Sequence, residues 1–207
     1  MDLRISGGKY KNKKLKVPEV AKPLRERVKL AIFSIIGEKI ASSKCLDLFS
    51  GSGNLGIEAL SREAASATFV DNDYYAIKVI NENILNLNLE NPEITKVVKD
   101  EAIKFISSYE DYFDIIFIDA PYDLPIKHIF KVLPEIMTKS SIVVYFHGFK
   151  KGVNVESENK LLKVYDSRKY GITQVDFIKL SLLDSWSRII IYTNGSTKKE
   201  NIKRKKE

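Results

Sequence analysis

Three groups of residues in this 207-residue chain have the types and spacing that chemistry requires. The first is Gly51-x-Gly53-x-x-Gly56, inside the stretch CLDLFSGSGNLGIEAL at residues 45–60. Glycines at 51 and 53 let the backbone turn sharply and let a ligand approach within contact distance. Gly56 lets a following helix pack closely on the preceding strand. The second group is a set of acids, Asp71, Asp100, Glu101 and Asp119, each at or just past the end of a predicted strand. Asp71 lies 20 residues beyond Gly51, where a carboxylate that holds ribose hydroxyls is expected. The third is Asp119-Ala120-Pro121-Tyr122: an acid, a stiffened turn and an aromatic ring. A strand-end carboxylate and a neighbouring backbone carbonyl can accept the two N–H bonds of an exocyclic amine. That aims the nitrogen lone pair at an electrophile and stabilises the positive charge that develops during attack. Proline removes a competing N–H and stiffens the turn, and Tyr122 can stack on a base held out of its helix.

Such residues work together only if a scaffold brings strand ends into one row. Residues 45–49 are apolar apart from Asp47 and read as a buried parallel strand that breaks at Ser50-Gly51-Ser52-Gly53. Residues 54–60 then take helical spacing, with Leu55, Ala59 and Leu60 inward and Glu58 expected to be exposed. Further strands are expected at 66–70, 94–99, 114–118 and 141–146, separated by helices at 74–89, 102–109 and 126–137. The run DIIFI at 114–118 is apolar after its first residue, as a strand covered on both faces should be. An earlier helix opens at Lys22-Pro23, with Pro23 in the first helical position. Val28, Ile32, Ile35 and Ile36 form its expected apolar stripe, beside Leu24, Ala31 and Phe33. Residues 161–169 and 173–181 are extended runs joined around Tyr170-Gly171 with no helix between them, so they form an antiparallel pair. Strands alternating with helices give a doubly wound, mostly parallel α/β sheet, in which ligands bind beyond the carboxyl ends of the strands. Each acid alone could instead cap a helix, Asp73 and Asp100 above all.

Composition bounds the partners. Hydrophobic residues make up 44% of the chain, enough for one core. No segment is apolar for long enough to span a membrane, and no secretory signal opens the chain. The lone Cys45 reads as a reduced, buried residue, and a cytoplasmic location is expected. No His/Cys/Asp spacing suggests a metal, and His128 and His147 read as surface or packing residues. Of the net charge of +7, residues 1–30 contribute +7 and residues 198–207 contribute +4, which leaves −4 on everything between. Basic arms on an acidic globule usually meet a polyanion, most often nucleic acid. Residues 1–20 form an expected hairpin whose lysines 9, 11, 13, 14 and 16 could track a phosphate backbone. Its removal is expected to weaken RNA binding and to spare the cofactor. The chain divides into this hairpin, a main domain at 21–182 and a 183–207 extension. The extension holds an apolar patch at residues 186–192 and a basic tail that need not be ordered.

The glycine loop and Asp71 allow either NAD or S-adenosylmethionine (SAM). A parallel sheet closed by an antiparallel pair departs from the dinucleotide order and matches the SAM-dependent methyltransferase sheet. Asp119-Ala120-Pro121-Tyr122 resembles the (D/N)PP(Y/F) signature of methyltransferases that modify exocyclic or amide nitrogens, with Ala120 in place of the first proline. The chain as a whole resembles the bacterial 16S ribosomal RNA guanine-N2 methyltransferase family of the RsmD type. RISGGKYKNKKLKVP resembles that family's basic opening. KPLRERVKLAIFSII resembles its RPT-x-x-RVRE-x-LF helix, with Leu24 in place of threonine. CLDLFSGSGNLGIEALSREA matches its cofactor motif nearly throughout, and KYGITQVDFIKL resembles its closing YG-x-T hairpin. The resemblance implies a Rossmann-like, seven-stranded, mostly parallel sheet with a C-terminal antiparallel pair. It implies SAM contacts from Asp47, Gly51, Gly53, Asp71 and the Asp100-Glu101-Ala102 turn, with Asp100 and Glu101 both open as the adenine partner. The catalytic segment would be Asp119-Ala120-Pro121-Tyr122. The substrate would be 16S rRNA or the small ribosomal subunit, and the enzyme a monomer. An N6-adenine methyltransferase and a non-catalytic SAM- or RNA-binding relic are the alternatives. An NAD-dependent dehydrogenase leaves Asp119 to Tyr122 and the basic arms unexplained.

Overall fold

The computed structural model describes residues 3–18 and 26–181. The expected helix opening at Lys22-Pro23, with Leu24 and Arg25, lies outside the described residues, as does the whole 183–207 extension. A short antiparallel ribbon, β1 (Leu3–Arg4) with β2 (Lys14–Leu15), opens the fold. Helix α1 (Glu26–Ile36) follows and ends in a 3-10 turn over Gly37–Ile40. Then come β3 (Lys44–Leu48), α2 (Asn54–Ser61), β4 (Ser66–Asp71), α3 (Tyr74–Asn86) and β5 (Thr95–Lys99). The chain continues through α4 (Ala102–Ser108), β6 (Phe113–Ile118), α5 (Lys127–Val132), β7 (Met137–Gly148) and α6 (Val155–Glu158). An antiparallel pair, β8 (Leu162–Tyr170) and β9 (Thr173–Leu180), closes it.

The seven longer strands form one sheet in the order β5-β4-β3-β6-β7-β9-β8, with β3 to β7 parallel and β9 antiparallel to both neighbours. Successive residues of a strand point to opposite faces, so the apolar runs feed two cores. Cys45, Phe69, Ile115, Phe117 and Val144 face α1, α2, α3 and the ribbon residues Leu3, Ile5 and Leu15. Leu46, Leu48, Val70, Ile116, Ile118 and Tyr145 face α4 and α5. The register pairs Leu48 with both Val70 and Ile118, and Ile118 with Tyr145. The residues that follow, Phe49, Asp71 and Asp119, therefore stand in one row at the carboxyl edge. The next strand over brings Asp100 to the same edge, where its N–H donates to the Asp71 carbonyl at 3.1 Å.

Two expectations about helix faces are corrected. Ile35 is 38% exposed, and the buried face of α1 consists of Val28, Lys29, Ile32, Phe33 and Ile36. Glu58, expected at the surface, is fully buried. Its carboxylate meets Lys29 at 2.9 Å and Arg62 at 2.9 Å, and it accepts hydrogen bonds from the Ser6 N–H at 2.8 Å and the Ser6 hydroxyl at 2.7 Å. A helix that is apolar around most of its circumference gives no sign of which polar residue finds a buried partner.

Candidate active site

The glycine loop owes its shape to left-handed backbone. Phe49, Gly51 and Gly53 have φ of 60°, 54° and 74°, so the chain reverses direction directly above β3. Ser50 fastens the loop to the next strand, its hydroxyl accepting from the Val70 N–H at 2.9 Å. Gly51 and Gly53 do different work. A Cβ on Gly53 would lie 3.3 Å from both Ile57 and Phe69, in the core. A Cβ on Gly51 would meet nothing within 4 Å, so this peptide opens onto unfilled space. Gly56 lies against Phe69, and a Cβ there would come within 2.3 Å of the ring, which fixes how closely α2 approaches β4.

The strand-end acids separate by role. The Asp71 carboxylate accepts from the Gly51 N–H at 2.8 Å and the Asp73 N–H at 2.9 Å, one bond on each oxygen. Each oxygen keeps a lone pair for a hydroxyl. Asp47 is 1% exposed and accepts from the Gly56 N–H at 2.9 Å. Burial raises its carboxyl well above the usual range, and the negative charges of Asp119 and Asp71 add to this. Asp100 accepts from the Glu101 N–H at 2.9 Å and pairs with Lys104 at 3.2 Å. Glu101 stands exposed at the N-cap of α4, and its side chain makes no capping bond.

Asp119 is half-buried where β6 ends, and burial pushes its carboxyl up to about 6. Ala120 is 4% exposed, so the position usually held by proline is filled and covered here. The Leu124 N–H donates to the Pro121 carbonyl at 2.9 Å, closing the turn. The Tyr122 hydroxyl shares a hydrogen bond with the Thr173 hydroxyl at 2.8 Å, and its ring edge lies over Gly148. Ala120, Pro121, Tyr122 and Leu124 wall a cleft of about 280 Å³ that also includes Tyr145, His147 and Lys151.

A family model described as Conserved hypothetical protein 95 matches residues 3–179. The chain belongs to that family. It is 35% identical over 122 residues to "Ribosomal RNA small subunit methyltransferase D" of Escherichia coli strain K12, an alignment covering 58% of this chain and 60% of that protein. The chain thus spans about three fifths of the length of that relative. It is 30% identical over 167 residues to the protein of the same name from Buchnera aphidicola subsp. Baizongia pistaciae, covering 78% of this chain and 79% of that one. Among solved structures, "Putative methyltransferase yhhF from Escherichia coli" superposes with a TM-score of 0.77 at 25% identity, over 87% of this chain and 99% of that one. The fold is that of SAM-dependent methyltransferases.

The geometry of this family member suits an adenosyl ligand. Gly51 supplies an open backbone cradle, and Asp71 beside it keeps lone pairs for a ribose diol. If that cradle holds the ligand, Gly51→Val should weaken SAM binding at least about tenfold. A β-branched side chain would occupy the space and also resist positive φ. Calorimetry on the folded variant would check this, and unchanged affinity would place the ligand elsewhere. Gly53 faces the core, so a side chain there would disturb packing first. Among the described residues no three His, Cys, Asp or Glu side chains converge as a metal group, and no helix is long and apolar enough to cross a membrane.

Three features of the site escaped the sequence. His147 is 5% exposed, with ring nitrogens 3.0 Å from the Gly148 carbonyl and 3.0 Å from Asp176, so it belongs to a polar network under the cleft. His128 is exposed, as expected of a surface residue. The second feature is Asn83 of α3, which is 1% exposed. Its amide donates to the Ser52 carbonyl at 2.9 Å and the Lys16 carbonyl at 3.0 Å, and it accepts from the Lys16 N–H at 2.8 Å. The third is Lys29, which donates to the Arg4 carbonyl at 2.6 Å and to Asn54 Oδ1 at 2.7 Å. Asn83 and Lys29 each join the N-terminal hairpin to the glycine loop or to the first residue after it. The expectation that the hairpin could be removed without touching the cofactor site is therefore corrected: its backbone is one of the loop's supports. Its lysines at 9, 11, 13, 14 and 16 are exposed.

Proposed function

We propose that the chain transfers a methyl group from SAM to the exocyclic N2 of a guanine in 16S rRNA. It would act as a monomer on the small ribosomal subunit in the cytoplasm. The observation that carries this reading is the placement of Asp119 at the end of β6, beside β3, whose following loop holds Gly51 against Asp71 at the end of β4. The names of the relatives support the rRNA substrate. Gly51 and Asp71 would hold the adenosyl group and its ribose. Asp100 and Glu101 both stay candidates for the adenine, since the Asp100 bonds to Glu101 N–H and Lys104 share one oxygen and Glu101 makes no capping bond. Asp47 and Gly53 would act indirectly, by fixing α2 and the loop, and Ala102 by starting α4 beneath Glu101.

SAM when bound supplies a methyl on an electron-poor sulfur. The protein's part is to present the nucleophile. A guanine amine is a weak nucleophile because its lone pair is delocalised into the ring. Asp119 and the Ala120 carbonyl would accept its two N–H bonds, turn the lone pair toward the methyl and stabilise the charge that builds on nitrogen. The nitrogen can lose its proton after the methyl arrives, so no strong base is required. Pro121 holds the carbonyl in place, and Tyr122, fixed by Thr173, walls the base pocket.

The raised carboxyl of Asp119 gives this reading a pH signature. Only the ionised form accepts both ways, so methylation should fall as pH drops through about 6. The stability term has the opposite sign. A folded-state value above the unfolded one favours folding at low pH, and that contribution is lost as pH rises through about 6. A single-turnover pH profile that stays flat from pH 5 to 8 would remove Asp119 from the rate. The substrate itself is tested by labelled-methyl transfer from SAM to small subunits lacking their own modification, followed by identification of the product nucleoside. N2-methylguanosine is expected, and N6-methyladenosine or no transfer would overturn the proposal.

A further inference from the structure

We infer that Phe149 and Ile172, at the sheet edge beside the cleft, form a stacking platform for an unpaired nucleotide next to the target guanine. This inference rests on the RNA methylation proposed above. The two residues belong to different elements that meet at the sheet's carboxyl edge. Phe149 follows β7, and Ile172 stands in the turn between β8 and β9. The Phe149 N–H donates to the Ile172 carbonyl at 2.8 Å, so the pair is fixed in register. One residue further on, Thr173 carries the hydrogen bond to Tyr122 at 2.8 Å. The platform is thereby tied to the wall of the base cleft.

Both side chains are exposed beyond what packing requires. Ile172 is 78% and Phe149 41% exposed, at the end of a sheet whose strands are otherwise apolar inside. Single exposed apolar residues need no explanation. This pair differs because of its surroundings. The Lys169 ammonium lies 3.5 Å from the centre of the Phe149 ring, and that of Lys150 lies 5.8 Å away. Lys150 itself has φ of 65°, a left-handed conformation that costs a non-glycine residue free energy and that places it in the turn beside the ring. Lys127 and Lys151 line the adjoining cleft, with Asp123 as the nearby counter-charge on Lys151 at 2.9 Å. Away from its termini the chain is net acidic, so four lysines gathered at one edge run against its charge pattern.

An aromatic face with cations around it is the arrangement that takes a base by stacking and its phosphates by charge. A guanine drawn into the cleft leaves its neighbour unstacked on one side. Phe149 and Ile172 offer that neighbour an apolar surface, and Lys150 and Lys169 meet the backbone next to it. The platform is separate from the N-terminal hairpin, whose ring, Tyr10, is partly buried against the core beneath Lys9.

The test uses the full chain and small ribosomal subunits lacking their own modification. Single-turnover methylation is measured against subunit concentration, with SAM affinity by calorimetry as control. Phe149→Ala should raise the half-saturating subunit concentration about tenfold, the scale of one lost base–aromatic stack, while the plateau rate and SAM affinity stay near wild type. Phe149→Trp should restore affinity, because any flat ring serves. Ile172→Glu should weaken binding by placing charge in the stack. Wild-type half-saturation in Phe149→Ala would overturn the platform, and so would a loss that tryptophan fails to rescue. If the wild-type protein methylates no RNA, the proposed function fails first, and it is recognised by the absence of any plateau.

Discussion

Replacing Asp119 with alanine is expected to lower the single-turnover rate of methylation by about 10²–10³ at saturating SAM, the scale of one lost preorganised electrostatic partner. Fold and SAM affinity should survive. The carboxylate follows a strand that is apolar from Ile115 to Ile118, and it stands half-buried next to Ala120, which lines the cleft. Its removal leaves a small polar gap at an edge, so no core cavity forms. Its ligand-side neighbours Gly51 and Asp71 are held by Ser50, Val70 and Asp73, none of which depends on residue 119. What the variant loses is an acceptor for the amine N–H and a negative charge facing the nitrogen as it becomes positive. Asp119→Asn keeps an acceptor oxygen and should retain part of the activity while abolishing the acid limb near pH 6. Wild-type-like rates in the alanine variant would end the case for Asp119 and would favour an RNA-binding relic.

The second large effect concerns stability. Lys29→Ala should destabilise the fold by about 3–5 kcal/mol, the usual consequence of leaving one partner of a buried pair uncompensated. Lys29 and Glu58 side chains are both 0% exposed and 2.9 Å apart. Burial pulls the Lys29 ammonium below the ordinary lysine range, and its contact with Glu58 opposes that pull. Burial pushes the Glu58 carboxyl upward, yet Lys29 and the two Ser6 bonds outweigh it and hold it below the ordinary range. Without Lys29, Glu58 keeps Ser6 and Arg62, which sets the cost toward the lower end. The Arg4 carbonyl and Asn54 Oδ1 lose a donor as well. Urea denaturation would measure the loss. The double substitution Lys29→Met with Glu58→Gln should recover much of it, since removing both charges avoids the uncompensated one. A single variant within about 1 kcal/mol of wild type would show that the pair does not hold these elements together.

The sheet was readable from the sequence because strands buried on both faces must be apolar throughout, and residues 45–49, 66–70 and 114–118 are nearly so. The closing antiparallel pair was readable because no helix fits between residues 170 and 173. Lengths were less so. β7 runs from Met137, not from residue 141, because its first half is polar and is paired across a register shift opposite Phe113 and Ile115. Helix α6 has four residues, too few for periodicity to register, and is set by the Asn154 cap. The chemistry-bearing residues on strand ends could be placed in a row before any coordinates, since parallel strands bring their carboxyl ends to one edge. What could not be placed was every polar group whose partner is distant in sequence. Lys29 with Glu58, Asn83 with Lys16 and Ser52, and His147 with Asp176 each require the tertiary register to become neighbours. Periodicity reports which face a residue lies on and is silent about what waits there.

The shared carboxamide of Asn83 gives cofactor occupancy a distant reporter. The amide proton of Lys16 can exchange with deuterium only when Asn83 releases it, and Asn83 is held at the same time by the Ser52 carbonyl of the glycine loop. A ligand that stills this loop also lengthens the residence of Asn83 in its place. Adding SAM should therefore slow deuterium uptake at Lys16, on the hairpin and outside the ligand's own contacts. The Lys11 amide, bonded within its own turn to the Gly8 carbonyl, should exchange at its former rate. Equal uptake at Lys16 with and without SAM would show that the loop and the hairpin open independently. Protection there means that the surface proposed to meet RNA is more rigid once the methyl donor is aboard, and by linkage RNA on that surface would in turn steady the glycine loop.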